Sequence, residues 1–332
     1  MATSFSALLG EPVRVRKIRA GRSRPGLQPQ HLMTLRAASE MCDAETEGVR
    51  AGSQEIVFRP GNLRGGSYKF DIGTAGSISL LLQCVTPIAA FAGVPVRLRV
   101  KGGTAVRWSP PIMFLDRVTW GALRLMGFTA ELEVLREGFY PRGGGIVDVK
   151  FKSTSSLRAL IAETPDEVTV EGVSVCGRLP RHVAERQASS ARGLLKELGY
   201  EASISTLERR GDEAPLSPGS FICLWVASGV RAFIGSSALG EWGKPAERVG
   251  EEAASALLGE ISSRCAVDRY TADNLILWCS LAHGTSSFTT SKFTAHTRTA
   301  IELAELFTDG SFDVLEDEGG MASITCEGVG LR

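Results

Sequence analysis

Four histidines, His31, His182, His283 and His296, are the side chains here best suited to act as nucleophiles or proton carriers near neutral pH. His296 follows the polar run Ser291–Thr294 and falls on the first turn of a helix predicted over 295–307. Free backbone N–H groups at such a position favour an anion such as phosphate. A second cluster, Tyr270-Thr271-Ala272-Asp273-Asn274, puts a ring, a carboxylate and an amide at the start of another predicted helix. Thr and Asp there also serve as ordinary capping residues. Gly73-Thr74-Ala75-Gly76-Ser77 is a tight turn that feeds a helix predicted over 78–92 and offers backbone N–H groups to an anion. It lacks the lysine of a P-loop. Gln83, the one long polar side chain of that helix, either faces solvent or contacts a ligand. Arg14, Arg16, Lys17, Arg19, Arg22 and Arg24 fall within eleven residues that contain no acid. That run is either a solvated strand edge and loop or a phosphate-binding rim. Spacing alone does not choose a nucleophile among the four histidines.

The elements that must hold these residues show a repeat. Gly10-Glu-Pro-Val-Arg-Val-Arg-Lys17 returns as Gly93-Val-Pro-Val-Arg-Leu-Arg-Val100. Each copy reads as a strand with alternating apolar and basic residues after a Gly-x-Pro turn. Each is followed by a glycine- and proline-bearing loop and then a helix, predicted over 31–41 and 113–126. Leu32, Leu35 and Ala38, and Leu115, Val118 and Leu125, mark the inward faces of these helices. Glu55–Arg59 and Gly145–Phe151 read as further strands, so the repeated unit packs helices on a small mixed sheet. Near Asp166 the pattern changes. Strands are predicted over 168–175 and 221–227, with helices over 183–198 and 247–261. After Ala266 the first pattern resumes, with a helix predicted over 272–281. The expected fold is α+β, with a large domain of 1–166 plus 265–332 and a smaller α/β domain, 167–264, inserted into it.

A chain of 332 residues exceeds what one hydrophobic core usually organises, in keeping with two domains. No apolar run approaches the roughly 18 residues of a membrane span, and residues 1–10 lack the basic start of a secretory signal. Seven cysteines without a CxxC pair favour reduced thiols and a cytoplasmic setting over zinc ligation or a disulfide framework. The formal net charge is zero, so any polyanion must be recognised by local basic patches.

Several segments resemble the RNA 3′-terminal phosphate cyclase family. They are Ile18-Arg-Ala-Gly-Arg-Ser-Arg-Pro-Gly-Leu-Gln-Pro-Gln-His-Leu32, Phe58-Arg-Pro-Gly61, Arg64-Gly-Gly66 and Asp71-Ile-Gly-Thr-Ala-Gly-Ser77. To these add Gly138-Phe-Tyr-Pro-Arg-Gly-Gly-Gly145, His182-Val-Ala-Glu-Arg186 and Leu239-Gly-Glu-Trp-Gly-Lys-Pro-Ala-Glu247. The resemblance covers nearly the whole chain in order. It implies three βαβα-type repeats, as in enolpyruvyl transferases, with the small domain inserted in the third. It also implies a three-step reaction: a histidine–AMP adduct formed from ATP, transfer of AMP to an RNA 3′-phosphate, and closure to a 2′,3′-cyclic phosphate. By the same resemblance His296 is the nucleophile. Gln83, Pro110, Tyr270, Asp273 and Asn274 are nucleotide contacts, and Arg19 and Arg22 bind phosphate. The implied cofactors are ATP and a divalent metal, Mg²⁺ or Mn²⁺, with no metal ligand assigned in this chain. The implied partner is RNA ending in a 3′-phosphate, with no membrane.

Three departures accompany the resemblance. The family's opening strand and Glu-Gly-Gly-Gly-Gln segment have no counterpart, residues 1–10 matching the tail of its first helix, so a poorly stable or weakly active chain is expected. Asn274 stands in place of the usual glutamine, and Ala300 in place of an asparagine four residues after the histidine. The competing expectations are a catalytically inactive cyclase-like protein of ribosome biogenesis, an enolpyruvyl transferase, and a general RNA-binding module. His296 argues against the first and the insert against the second. Against the third, aromatics make up only 7% of the chain and no repeated aromatic motif marks a stacking platform.

Overall fold

The computed structural model describes residues 1–227 and 231–331. The chain begins with α1 (Ala2–Leu9), β1 (Val13–Arg16), α2 (Pro29–Cys42), β2 (Glu45–Glu47) and β3 (Glu55–Arg59). It continues through β4 (Gly66–Asp71), α3 (Ile78–Ala90) and β5 (Val96–Gly102). Next come α4 (Ile112–Phe114), a π turn (Leu115–Thr119) and α5 (Trp120–Leu125), then β6 (Ala130–Arg136) and β7 (Gly145–Phe151). A second texture follows: β8 (Thr169–Gly177), α6 (His182–Glu197), β9 (Glu201–Arg209), β10 (Gly219–Val226), β11 (Gly235–Leu239) and α7 (Ala246–Ser262). The chain closes with α8 (Arg269–Leu281), β12 (His283–Thr290), α9 (Ala295–Phe307), β13 (Ser311–Glu316) and β14 (Ala322–Val329).

The same helix–strand–helix–strand–strand order occurs three times: α1-β1-α2-β2-β3, α3-β5-α4/α5-β6-β7 and α8-β12-α9-β13-β14. The sheets agree, with orders β1-β3-β2, β5-β7-β6 and β12-β14-β13, neighbouring strands in each being antiparallel. In the second sheet β4 adds a parallel strand beside β5. In the third, Arg158 and Ile161 bridge His283 and Ser287 of β12 in parallel, at the equivalent edge. The sheets bury one face, as the alternation of β5 (Val96, Leu98 and Val100 in, Arg97 and Arg99 out) requires.

The predicted helix over 113–126 is present, but its middle widens into the π turn, and Leu125 is only half-buried while Leu115 and Val118 are fully buried. Between Ile161 and α8 the chain forms a separate sheet, β11-β10-β8-β9, backed by α6 and α7 around its own apolar core. From Phe221 to Val226 β10 is apolar because both its faces are covered. Ile222 and Leu224 meet α6 and α7, while Phe221 and Cys223 join the large core, where the Phe221 ring lies 6.4 Å from that of Phe139. All seven cysteines are free and buried, and no described helix is long and apolar enough to cross a membrane.

Candidate active site

His296 sits on the first turn of α9. Thr294 caps that helix, its hydroxyl oxygen accepting from the Thr297 amide at 3.0 Å, and Thr297 is buried while His296 stays exposed. Packing of Thr297 therefore turns the imidazole outward at the electropositive end of the helix. Ala300, four residues on, is buried in the core. α8 packs beside α9, and the charge of His296 reaches Asp273 near the start of α8. Asp273 there is half-buried. Burial pushes its carboxyl up to about 6, and the positive charge of His296 pulls it back. Asn274 donates through Nδ2 to the Tyr270 carbonyl (2.8 Å) and to Asp273 Oδ1 (2.7 Å), so its amide reaches its own helix. The Tyr270 ring is 63% exposed and free to pack against a planar ligand.

The α8 cap is Asp268, which lies outside the cluster read from the sequence. One oxygen accepts from the Tyr270 and Thr271 amides at 2.9 and 2.8 Å. The other accepts from the Thr271 hydroxyl at 3.0 Å and from the Gly235 amide at 3.1 Å. Asp268 is fully buried; burial drives its carboxyl up to about 7, against the amides that favour its ionised form. Glu260 of α7, itself buried, accepts from Arg269 Nε at 2.5 Å and from the hydroxyl of Ser291, in the loop leading to His296. Only their tertiary burial distinguishes Asp268 and Glu260 from ordinary capping and surface acids.

Pro110 belongs to the loop between β5 and α4. Beyond this loop Phe114 and Val118 press on Gly235, whose amide binds Asp268, so two packing steps lead from the Pro110 loop to the start of α8. The glycine-rich turn behaves differently from its sequence expectation. Three of its five amides are already engaged: Gly73 N with Asp71 Oδ1 (2.8 Å), Gly76 N with Thr74 Oγ1 (3.1 Å), and Ser77 N with Gln30 Oε1 (2.8 Å). Ile78 N donates to the Gly103 carbonyl at 2.9 Å. The turn is a structural joint that aims α3, three of its N–H groups being taken by the side chains of Asp71, Thr74 and Gln30. On α3, Gln83 is half-buried, and Pro87 removes the donor that would otherwise bond the Gln83 carbonyl.

Arg19 and Arg22 lie in the loop between β1 and α2. The Arg19 guanidinium donates to the carbonyls of Arg24 (2.5 Å) and Gly26 (3.2 Å), and the Arg19 backbone is left-handed (φ 53°). Arg22 is exposed. Burial, and then the charge of Arg19, lowers the His31 pKa, and His31 Nδ1 accepts from the Gln28 amide at 3.2 Å. That bond requires an unprotonated Nδ1 and makes His31 a helix cap. Next to it, Gln30 reaches the glycine-rich turn. Arg19 thus connects to α3 by way of α2, while His296, Asp273 and Tyr270 form a separate group at α8 and α9. His182 opens α6, and His283 opens β12, its amide bonded to the Leu157 carbonyl. Among the described residues, His296 is the histidine whose charge reaches a half-buried carboxyl.

The fold and site define a three-repeat α/β protein with an imidazole exposed at a helix start beside a half-buried carboxyl. The sequence profile described as RNA 3′-terminal phosphate cyclase matches residues 1–314, and the chain belongs to that family of ATP-dependent, ligase-class enzymes. It is 45% identical over 327 residues to an RNA 3′-terminal phosphate cyclase from Methanopyrus kandleri, covering 97% of this chain and 93% of that protein. It is 48% identical over 295 residues to one from Archaeoglobus fulgidus, covering 89% and 87%. A solved EPSP synthase from Acinetobacter baumannii overlays 98% of this chain and 62% of its own at 13% identity; the TM-score of 0.30 is too low to bear on the fold.

Proposed function

We propose that this chain converts the 3′-terminal phosphate of RNA to a 2′,3′-cyclic phosphate at the expense of ATP, with His296 as the covalent nucleophile. The carrying observation is the pairing of His296 and Asp273 on adjacent helix starts in a chain of this family. An imidazole nitrogen attacks the α-phosphorus of ATP, an N–P bond forms, the α–β bridging P–O bond breaks, and pyrophosphate leaves. An oxygen of the RNA 3′-phosphate then attacks the same phosphorus, the N–P bond breaks, and an RNA-adenylate results. The neighbouring 2′-oxygen, losing its proton, attacks the RNA phosphorus and expels AMP. The helix start of α9 stabilises the negative charge on the phosphoryl oxygens throughout. The Asp273 carboxylate stabilises the cationic form of the imidazole through space as the N–P bond develops.

Tyr270 and Pro110 pack on adenine, Gln83 and Asn274 supply polar contacts, and Arg22, with what remains free of Arg19, neutralises phosphate. Among the described residues no three His, Cys, Asp or Glu side chains cluster as a metal cage. Mg²⁺ or Mn²⁺ would therefore enter with the phosphates of the nucleotide, the mode Mg²⁺ favours, and no step is assigned to it. The reading also takes residues 167–264 as a unit inserted into 1–166 plus 265–332, supported by their separate core.

Incubation with α-³²P-ATP tests the nucleophile. An acid-labile, alkali-stable protein label that vanishes in His296→Ala is expected, followed by its chase into 3′-phosphorylated RNA. A label that persists in His296→Ala would overturn the assignment.

A further inference from the structure

We propose that Trp108 and Trp242 form a platform on which unpaired bases near the 3′ end of single-stranded RNA stack. The inference takes RNA as the ligand from the cyclase reading above and adds where its bases go. Trp108 is 95% exposed and Trp242 fully so, whereas tryptophan is among the more buried residue types on average. Trp108 also holds a left-handed backbone (φ 70°), unfavourable for a bulky side chain and persistent only where surroundings impose it.

The residue before Trp108 is tied to a second loop. Trp108 follows Arg107, Trp242 follows Glu241, and the Arg107 and Glu241 side chains form an ion pair (Nη2–Oε2 2.6 Å). The bridge brings the tip of the Pro110 loop against the loop after β11. Both loops are pinned at their bases. Ile112 N donates to the Thr104 carbonyl (2.8 Å), Thr104 N to the Gly138 carbonyl (2.9 Å), and Gly240 N to the Ser220 carbonyl (2.8 Å). The Lys244 ammonium is held by Glu252 at 2.7 Å. The loops are thus fixed while their two rings are bare.

Position and charge select the occupant. Pro110 is two residues from Trp108, so the platform adjoins the proposed nucleotide site. Two rings on two loops suit successive bases of a strand better than a single adenine, which Tyr270 and Pro110 already flank. Each ring stands beside charged Arg107, Glu241 or Lys244 instead of within an apolar patch, as fits a wet polyanion interface more than a protein partner. Exposed Arg142, whose loop covers the glycine-rich turn, and exposed Arg22 and Arg24 supply phosphate contacts without base preference.

Fluorescence anisotropy with a 5′-labelled single-stranded RNA bearing a 3′-phosphate, and with a blunt duplex, tests the platform. Trp108→Ala and Trp242→Ala should each weaken single-strand binding about 5- to 150-fold, the range for loss of one base–aromatic stack. Trp→Phe at either site should retain most affinity, because it keeps a π face. The slope of log affinity against log salt should not change, since phosphate contacts remain. Trp108→Gly should raise the unfolding temperature by relieving the left-handed backbone and still lose RNA affinity. The proposal is overturned if the double alanine variant binds the single strand like the parent, or if the parent prefers the duplex. If the tryptophan variants lose RNA while the parent never takes label from ATP, the platform stands and the cyclase reading falls. Labelling with normal RNA binding by the double variant sinks the platform alone.

Discussion

Ser291 donates its hydroxyl to the same Glu260 carboxylate that holds the Arg269 guanidinium. One acid at the end of α7 therefore ties down both the loop that delivers His296 and the first residue of the helix that carries Tyr270 and Asp273. Glu260 is buried and Arg269 partly exposed. Glu260→Ala leaves two donors without their acceptor and should cost about 2–4 kcal/mol of stability. Glu260→Gln keeps the shape and one acceptor oxygen and should cost less. Urea unfolding at neutral pH measures both. The labelling rate with α-³²P-ATP should fall in Glu260→Ala even at temperatures where the variant is folded, because both helix starts lose their common anchor. An unchanged rate in the folded variant would show that α7 does not position the site.

Asp268 makes stability depend on pH in an unusual direction. Its carboxyl is held up at about 7, above the unfolded value of about 3.8, so between these pH values the folded chain binds more protons than the unfolded one. Stability contributed by this group is complete below about pH 4 and declines as pH rises to about 7, by a few kcal/mol at most. Asp273, held at about 6, pushes the same way. Asp268→Asn keeps an acceptor for the helix amides and is a good cap in its own right. Its unfolding free energy, measured from pH 4 to 8, should fall less steeply than that of the parent. Parallel curves would mean that Asp268 ionises normally in the folded chain.

The repeat between β1 and β5 is legible because both strands use the same Val-Arg alternation after Gly-x-Pro. The third copy, β12, is written His-Gly-Thr-Ser-Ser-Phe-Thr-Thr and shares only its hydrogen-bond topology, so no residue pattern announces it. The segment around Arg158 and Ile161 pairs through isolated bridges and lacks a strand's periodicity. His296 and Tyr270 were visible as polar residues at helix starts. Glu260 was not: in an Ala/Glu-rich helix one buried glutamate looks like its solvated neighbours. The exposure of Trp108 and Trp242 was likewise hidden, because nothing local tells a surface tryptophan from a core one.

Asp273 should set the acidic limb of the reaction. Its carboxyl is held at about 6 by burial, with the nearby His296 opposing that rise. Label uptake should rise through about pH 6 as Asp273 loses its proton. Asp273→Asn removes the charge that stabilises the cationic imidazole and should slow uptake about 10- to 100-fold, within the usual range for a supporting acid or base. It should also shift the acidic limb, which a merely structural role would leave in place. A stopped-time labelling profile from pH 5 to 8 reads both effects.

Gly143 and Gly193 predict opposite responses to the same substitution. Gly143 has φ 62°, and a Cβ there would lie 2.6 Å from the Thr74 carbonyl oxygen and 2.7 Å from Ala75 Cα. Neither backbone atom yields easily, since the turn is fastened at Gly73, Gly76 and Ser77. Gly143→Ala combines left-handed strain with this collision and should cost about 2–4 kcal/mol. Because the glycine-rich turn aims α3 and Gln83, the KM for ATP should rise as well. Gly193 lies mid-way along α6 with nothing within 4 Å of its would-be Cβ. Gly193→Ala should stabilise by about 0.5–1 kcal/mol through helix propensity alone and leave the KM for ATP unchanged. Thermal unfolding and ATP titration of the two variants side by side would separate a joint that carries the nucleotide site from a glycine of no consequence. Equal behaviour of the two would mean that the 142–144 loop does not press on the glycine-rich turn.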